Sequence, residues 1–327
     1  MLTYEGCDLL DISGPAEVFK FAQVQLREEG CTDFSIPDPL YFSPDGGLVT
    51  TAQGLQLLTL PLEELRHHQI HTLIAVGSFQ ANDSSDPRLA DAIRESIGTI
   101  PRIGSVCTGA FILARAGLLD GRRATTHFLD CDELKQKFPK VEADPSCIFT
   151  EDEGIWTSAG VTAGIDMALA MIEQDFGPEL ALKVAHRLCV FLKRPAGQPQ
   201  ISVALQSQNA VGPMANLLRW ISDNLDADLR AEVLAERSNM SLRNFYRAFT
   251  EATGHSPGDW VEASRMEVAK RLLEQTDQNA DQIAYKAGFT SYERMRRTFI
   301  RKVGASPLAY RTRNTRQTDV EPRLLSA

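Results

Sequence analysis

At 327 residues the chain is long for one domain and comfortable for two, and its 43% hydrophobic and 24% charged content is ordinary for a globular protein. No apolar run approaches bilayer length and no signal-type segment opens the chain, so the expected compartment is the cytoplasm, with no membrane partner. The net charge of −9 is unevenly split: residues 1–209 hold 16 basic and 28 acidic side chains, residues 210–316 hold 17 and 13, which implies two domains with different partners.

Residues 1–195 alternate between two kinds of segment. Short apolar runs, LYF (40–42), HTLIAV (71–76), RIGSV (102–106) and GIWTS (154–158), read as strands. Helical patterns lie between them, over 15–30, 86–98, 107–119 and 162–176. Strands alternating with helices imply βαβ units, a mainly parallel sheet and ligand sites at the carboxyl ends of its strands. The six cysteines (7, 31, 107, 131, 147, 189) include no C-x-x-C pair and read as reduced thiols, and the spacing of His67, His68 and His71 fits no metal motif. No metal or cofactor is expected. Residues 196–212, rich in Gly, Pro, Gln and Ser, read as a linker.

From 213 to 312 the pattern is helical, and it contains a repeat. The template S-x3-[FM]-x-R-x-F-x4-G-x-S-P-x-x-[WY] fits from Ser241 and again from Ser291, every position offset by 50. Each copy is a helix, a turn and a second helix with a buried stripe (Phe245/Phe249, Met295/Phe299). Ser241 and Ser291 are placed as N-caps. The opposite faces carry Arg243, Tyr246 and Arg247 in the first copy and Tyr292, Glu293, Arg296 and Arg297 in the second. A short helix presenting Arg and Tyr suits a DNA major groove. Arg243 and Arg296, at variable template positions, are expected to read bases; Arg247 and Arg297, which recur, are expected to anchor to the backbone. Residues 313–327 read as a disordered tail.

The segment 213–312 resembles the AraC-type DNA-binding domain along its length, and IAYKAGFTSYERMRRTFIRKVGASPLAYR (283–311) carries that family's signature with Met295 where Phe or Leu is usual. The resemblance implies seven helices in two subdomains, joined by a long helix at about 258–275, with two recognition helices entering successive major grooves.

The stretches LLDISGPAEVF (9–19), SVCTGAFILARAGLLDGRRATTH (105–127), TSAGVTAGIDMALAMIEQDFG (157–177) and RPAGQPQIS (194–202) resemble the ThiJ/PfpI branch of the class I glutamine-amidotransferase-like superfamily. The resemblance implies a flavodoxin-like α/β domain with Cys107 on a sharp strand-to-helix elbow. It matches Asp11, after the first strand, to the acid that meets the Cys and His127 to a His found in several members, with Thr108 following the Cys as in isonitrile hydratases, and Gly77 and Ser78 where a backbone amide meets the pocket. Only MLTYE precedes Gly6, so the first strand is expected to be short. Together the two resemblances imply a transcriptional regulator that senses a small nitrogenous metabolite, with promoter DNA, a second copy of the chain and RNA polymerase as partners. No catalytic residue is assigned. The alternative is a cysteine-dependent hydrolase or hydratase using Cys107 and Asp11.

Overall fold

The computed structural model describes residues 1–31, 36–79, 86–190, 193–201 and 213–315. They fall into two units, one ending at Gln200 and the other beginning at Ile201. The expected tail from 316 onward lies outside the described residues.

The first unit is built on an open sheet. Strands β1 (Phe42–Ser43), β2 (Asp45–Thr50) and β3 (Gln56–Pro61) run in the order β1-β3-β2. Strands β4 (Thr72–Ala75), β5 (Arg102–Val106), β8 (Phe149–Asp152) and β9 (Ile155–Ser158) run in the order β4-β5-β9-β8, parallel except for the β8–β9 hairpin. The expected short first strand joins the two groups. Leu2 bridges in parallel to Phe42 on one side and Ala75 on the other. The Leu2 N–H donates to the Ile74 carbonyl at 2.8 Å and the Thr3 N–H to the Phe42 carbonyl at 2.7 Å. A separate two-stranded ladder pairs β6 (Arg123–Ala124) with β7 (Glu142–Ala143).

Alternation along the strands makes two buried faces. Leu73, Ala75 and Ile103 join one core with Leu89 and Ile93 of α2 (Pro87–Ser96) and Phe111 of α3 (Gly109–Arg115). Ile74 and Val106 join the other with Met167 and Met171 of α5 (Thr162–Phe176). Helices α1 (Leu9–Glu28) and α6 (Pro178–Arg187) complete that second layer against α5. A short α4 (Cys131–Lys137) follows β6.

Two helix limits differ from the sequence reading. α1 starts at Leu9 rather than near Pro15, because the Asp8 carboxylate caps it by accepting from the Leu10 and Asp11 N–H groups. Asp11 therefore sits in the first turn of a helix. α3 starts at Gly109, leaving Cys107 outside it. The β2–β3 hairpin, β8, α4 and α6 carry no signal in the sequence reading. Residues 196–200, assigned to the linker by composition, pack on the first unit: the Ile148 N–H donates to the Ala196 carbonyl, and Gln200 reaches three groups described below.

The second unit has seven helices among the described residues: α7 (Pro213–Asp223), α8 (Ala231–Arg237), α9 (Leu242–Thr253), α10 (Pro257–Gln275), α11 (Ala280–Lys286), α12 (Tyr292–Val303) and α13 (Pro307–Thr315). They bury two cores, one around Phe245, Phe249 and Trp260, the other around Met295, Phe299 and Tyr310, with α10 running from one to the other. The repeat is repeated in space. Phe249 meets Trp260 edge-on at 6.1 Å, and Phe299 meets Tyr310 edge-on at 5.5 Å. A seam joins the halves. Arg265 of α10 donates to the Leu225 carbonyl from Nε at 3.0 Å and Nη2 at 2.8 Å. Gly288, with φ +80°, presses on the same carbonyl: a Cβ there would lie 2.0 Å from its oxygen.

Gly288→Ala therefore demands both a strained backbone and displacement of the seam. We expect it to destabilise the second unit by about 3 kcal/mol or more, read as a lower denaturant midpoint. A loss under about 1 kcal/mol would mean that the seam yields.

Candidate functional site

Cys107 closes β5, and its backbone adopts φ +55°, a conformation that non-glycine residues rarely take. Glycines on two loops make this geometry possible. A Cβ at Gly160 would lie 2.3 Å from the Cys107 Cβ and 2.8 Å from its Sγ. A Cβ at Gly77 would lie 2.7 Å from the Thr108 nitrogen and 2.8 Å from the Cys107 Cβ. Behind them, Gly109 lets α3 dock against β4, since a Cβ there would lie 2.2 Å from the Ala75 carbonyl oxygen.

Asp11 is fully buried and ties the loops together. Its Oδ1 accepts from the Val161 N–H at 2.7 Å and its Oδ2 from the Gly77 N–H at 3.2 Å. Burial pushes its carboxyl up to about 7; the Asp8 charge adds to this, while the two N–H donors and the Cys107 thiol oppose it. The Cys107 thiol is itself pushed well above its usual value, first by burial and then by the Asp11 charge, with the Thr108 N–H opposing. The pair is thus a protonated thiol beside a carboxyl poised between its two forms. Such a thiol is a weak nucleophile at neutral pH.

The other expected residues divide. The Thr108 hydroxyl accepts from the Ser78 N–H and donates to the Ser78 carbonyl, both at 2.9 Å, so it locks the elbow to the loop after β4. Gly77 and Ser78 therefore lie at the elbow, with Asp11, Cys107 and Thr108. His127 is half-exposed, its Nδ1 3.7 Å from the Asp130 carboxylate and its ring 4.6 Å from that of Phe128. Its neighbour Thr126 is the residue that reaches the elbow, donating its hydroxyl to the Cys107 carbonyl at 2.8 Å.

Three participants escaped the sequence reading. Tyr4 is buried, which raises its hydroxyl above the usual phenol value, and Ser78, Cys7, Asp11 and Cys107 act on it. The Val161 N–H holds Asp11. Gln200 donates from Nε2 to the Thr126 carbonyl at 2.8 Å, the Thr125 hydroxyl at 3.1 Å and the Cys147 carbonyl at 3.2 Å. The holds of Val161 on Asp11 and of Gln200 on Thr126 join positions far apart in the chain and have no local sequence signal.

Apolar side chains next in sequence to these residues are exposed: Leu10 in α1, and Phe79, Phe128, Leu129 and Val161, with Phe79 80% and Leu129 73% exposed. A separate apolar cavity of about 330 Å³, walled by Phe19, Phe42, His71 and Phe176, includes none of the six elbow candidates. The two acids on the cavity wall are engaged in ion pairs, Asp38 with Lys20 and Asp175 with Arg102. Among the described residues no group of His, Cys, Asp and Glu could hold a metal ion.

In the second unit, Ser241 and Ser291 cap α9 and α12 as expected, accepting from the Asn244 N–H at 3.4 Å and the Arg294 N–H at 3.2 Å. Arg243, Tyr246 and Arg247 are exposed on α9. Tyr292 departs from expectation: it is half-buried and packs against the second core, because the first turn of α12 leans onto α10 and α11 there. Glu293 binds both neighbouring arginines, taking Arg296 Nε at 2.7 Å and Nη2 at 3.0 Å, and Arg297 Nε at 2.9 Å.

Comparison with known proteins fits both halves. The profile of the DJ-1/PfpI family matches residues 1–174, and that of a helix-turn-helix domain matches residues 234–313. Over 267 residues, 81% of this chain and 79% of the relative, the sequence is 30% identical to the HTH-type transcriptional regulator CdhR of Pseudomonas aeruginosa. Over 143 residues, 43% of this chain and 60% of the relative, it is 34% identical to an isonitrile hydratase of Pseudomonas putida. A solved ThiJ/PfpI family protein of Pseudomonas syringae, 21% identical, superposes with a TM-score of 0.51 over 68% of this chain and 85% of its own, a likeness of fold alone.

Two outcomes follow from the elbow's protonation. Iodoacetamide at pH 7.5 is expected to modify the exposed Cys189 at least about tenfold faster than Cys107; equal rates, mapped by peptide mass, would show an activated thiol. Asp11 carries a folded-state value above its unfolded one, so the stability it contributes is present in acid and is lost as pH rises through about 7. The melting midpoint of the first unit should fall as pH rises from about 4 to about 7 and level off above that, and Asp11→Asn should flatten the fall. An unchanged slope in the variant would assign the titration elsewhere.

Proposed function

We propose, for a chain that belongs to the DJ-1/PfpI family and carries the helix-turn-helix domain of AraC-type transcriptional regulators, that its first unit senses a small nitrogenous metabolite at the elbow and passes the signal toward the DNA-binding unit through Gln200. The chain is a DNA-binding transcriptional regulator. The reading adds where its effector binds and what its binding moves. It acts as a homodimer on promoter DNA, and RNA polymerase is the partner that responds.

One observation carries the route. The Cys107 carbonyl is bonded to the Thr126 hydroxyl, the Thr126 carbonyl to Gln200, and Gln200 stands at the end of the first unit. Arg194, in the same closing stretch, is held by Asp166 of α5 through its N–H at 2.8 Å and its Nη2 at 2.7 Å. An effector that shifts the elbow thus acts on groups that fasten the stretch leading to the DNA-binding unit. It changes DNA binding only to the extent that it binds two arrangements of that stretch unequally.

The chemistry favours a positively charged or N–H-bearing ligand with a small apolar body. A cation near Asp11 would favour its ionised form, and exposed apolar side chains next in sequence to the elbow residues, Phe79 and Val161, would cover the apolar part. The hydratase reading draws on the partial match to an isonitrile hydratase. The protonated state of Cys107 opposes it, and turnover of an isonitrile by the full chain, abolished in Cys107→Ala, would establish it.

A thermal-shift screen of amines, betaines and amino acids on the full chain should find a stabilising ligand, because a compound bound only to the folded state raises its midpoint. With such a ligand, Gln200→Ala should keep both ligand binding and ligand-free DNA affinity but lose the change in DNA affinity that the ligand causes in wild type. A variant that still responds fully would remove Gln200 from the route.

A further inference from the structure

We propose that Glu293 is a positioning residue for DNA reading: it holds Arg296 and Arg297 in one fan, so that the second recognition helix contributes sequence discrimination and little sequence-independent affinity. The inference rests on α12 being a DNA-reading helix.

The repeat makes the comparison internal. With the offset of 50, Glu293 stands where the first copy has Arg243, Arg296 where it has Tyr246, and Arg297 where it has Arg247. The charge at the first of these positions is reversed between the two helices. Among the described residues Arg243 and Arg247 make no ion pair, whereas Arg296 and Arg297 both bind one carboxylate. The spacing suits this arrangement, since a glutamate placed three and four residues before an arginine is the favourable helical order. Glu293 also lies in the first turn of α12, where the helix dipole favours an anion.

The way each guanidinium is gripped matters. Glu293 takes the Nε and Nη2 side of Arg296 and only the Nε of Arg297. The two Nη groups of each arginine keep outward N–H donors, the pair that reads guanine O6 and N7 side by side. The carboxylate therefore presents both arginines with their reading edges outward. It also places a negative charge among them, which repels phosphate and cancels part of their sequence-independent attraction. Without it, two long cationic side chains would be able to swing to the backbone, where each phosphate contact steepens the salt dependence of binding by about 0.9 in slope.

The test uses the full chain and a duplex enriched by the wild type from a randomised pool, with a scrambled duplex as control. Binding is titrated at several salt concentrations for wild type, Glu293→Gln and Glu293→Gln/Arg297→Gln, after circular dichroism confirms equal helix content. Glu293→Gln should bind scrambled DNA several-fold more tightly, steepen the salt slope by about one to two, and reduce the ratio of selected to scrambled affinity by about tenfold. The double variant should bring the slope back toward wild type. If Glu293→Gln instead loses affinity for the selected duplex alone, with scrambled binding and slope unchanged, the carboxylate touches a base itself and the positioning role is wrong. Unchanged binding on both duplexes overturns it as well. Should the wild type enrich no sequence at all, the premise that α12 reads DNA fails, and the inference with it.

Discussion

The elbow depends on one buried carboxylate. Asp11 accepts from backbone N–H groups at Gly77 and Val161, so a side chain in the first turn of α1 fixes loops that follow two different strands. Between those loops Cys107 is held at a positive φ, with glycines on both sides because no larger residue fits. Burying an acid so completely has a cost, and it shows in the elevated carboxyl of Asp11 and the protonated thiol beside it. The same closeness that shapes the elbow thus deprives its cysteine of thiolate character.

A catalytic thiol needs a nearby cation or N–H donors to lower its pKa. Here the dominant influences, desolvation and an acid, act in the opposite sense. What remains is a small polar centre, and the residues next to it in sequence, Phe79 and Val161, carry exposed apolar side chains. The network around Thr126 and Gln200 extends this centre to the end of the first unit through hydrogen bonds between otherwise distant segments.

The second unit shows how one structural unit, used twice, can be given different duties. The buried positions of the two copies are matched down to the edge-on aromatic pairs at their ends, because both must fill the same kind of core. Their exposed positions are free of that demand and differ: among the described residues the α9 arginines make no ion pair, whereas on α12 one acid binds two arginines. The seam of Arg265, Leu225 and Gly288 joins the halves through a buried carbonyl, so the two helices are presented by one folded unit.

Much of this was legible in the sequence by itself. A strict offset of 50 revealed the paired helix-turn-helix units and their caps, since N-cap serines, buried stripes and turn glycines are local requirements written into local residues. The alternation of apolar runs with helical patterns gave the α/β unit, and the small residues around Cys107 marked the elbow. Hairpin β2–β3, whose exposed Leu48 and Leu58 blur the alternation, was not legible, nor was the early start of α1, where a cap at Asp8 outweighed the proline seven residues on. Composition also misled at 196–200, because Gly, Pro and Gln mark a linker only until a folded surface offers them carbonyls to bind. The protonation of Cys107 and the hold of Gln200 on Thr126 were decided by tertiary structure. Each depends on which groups face one another and how much water lies between them, and spacing along a chain carries no record of either.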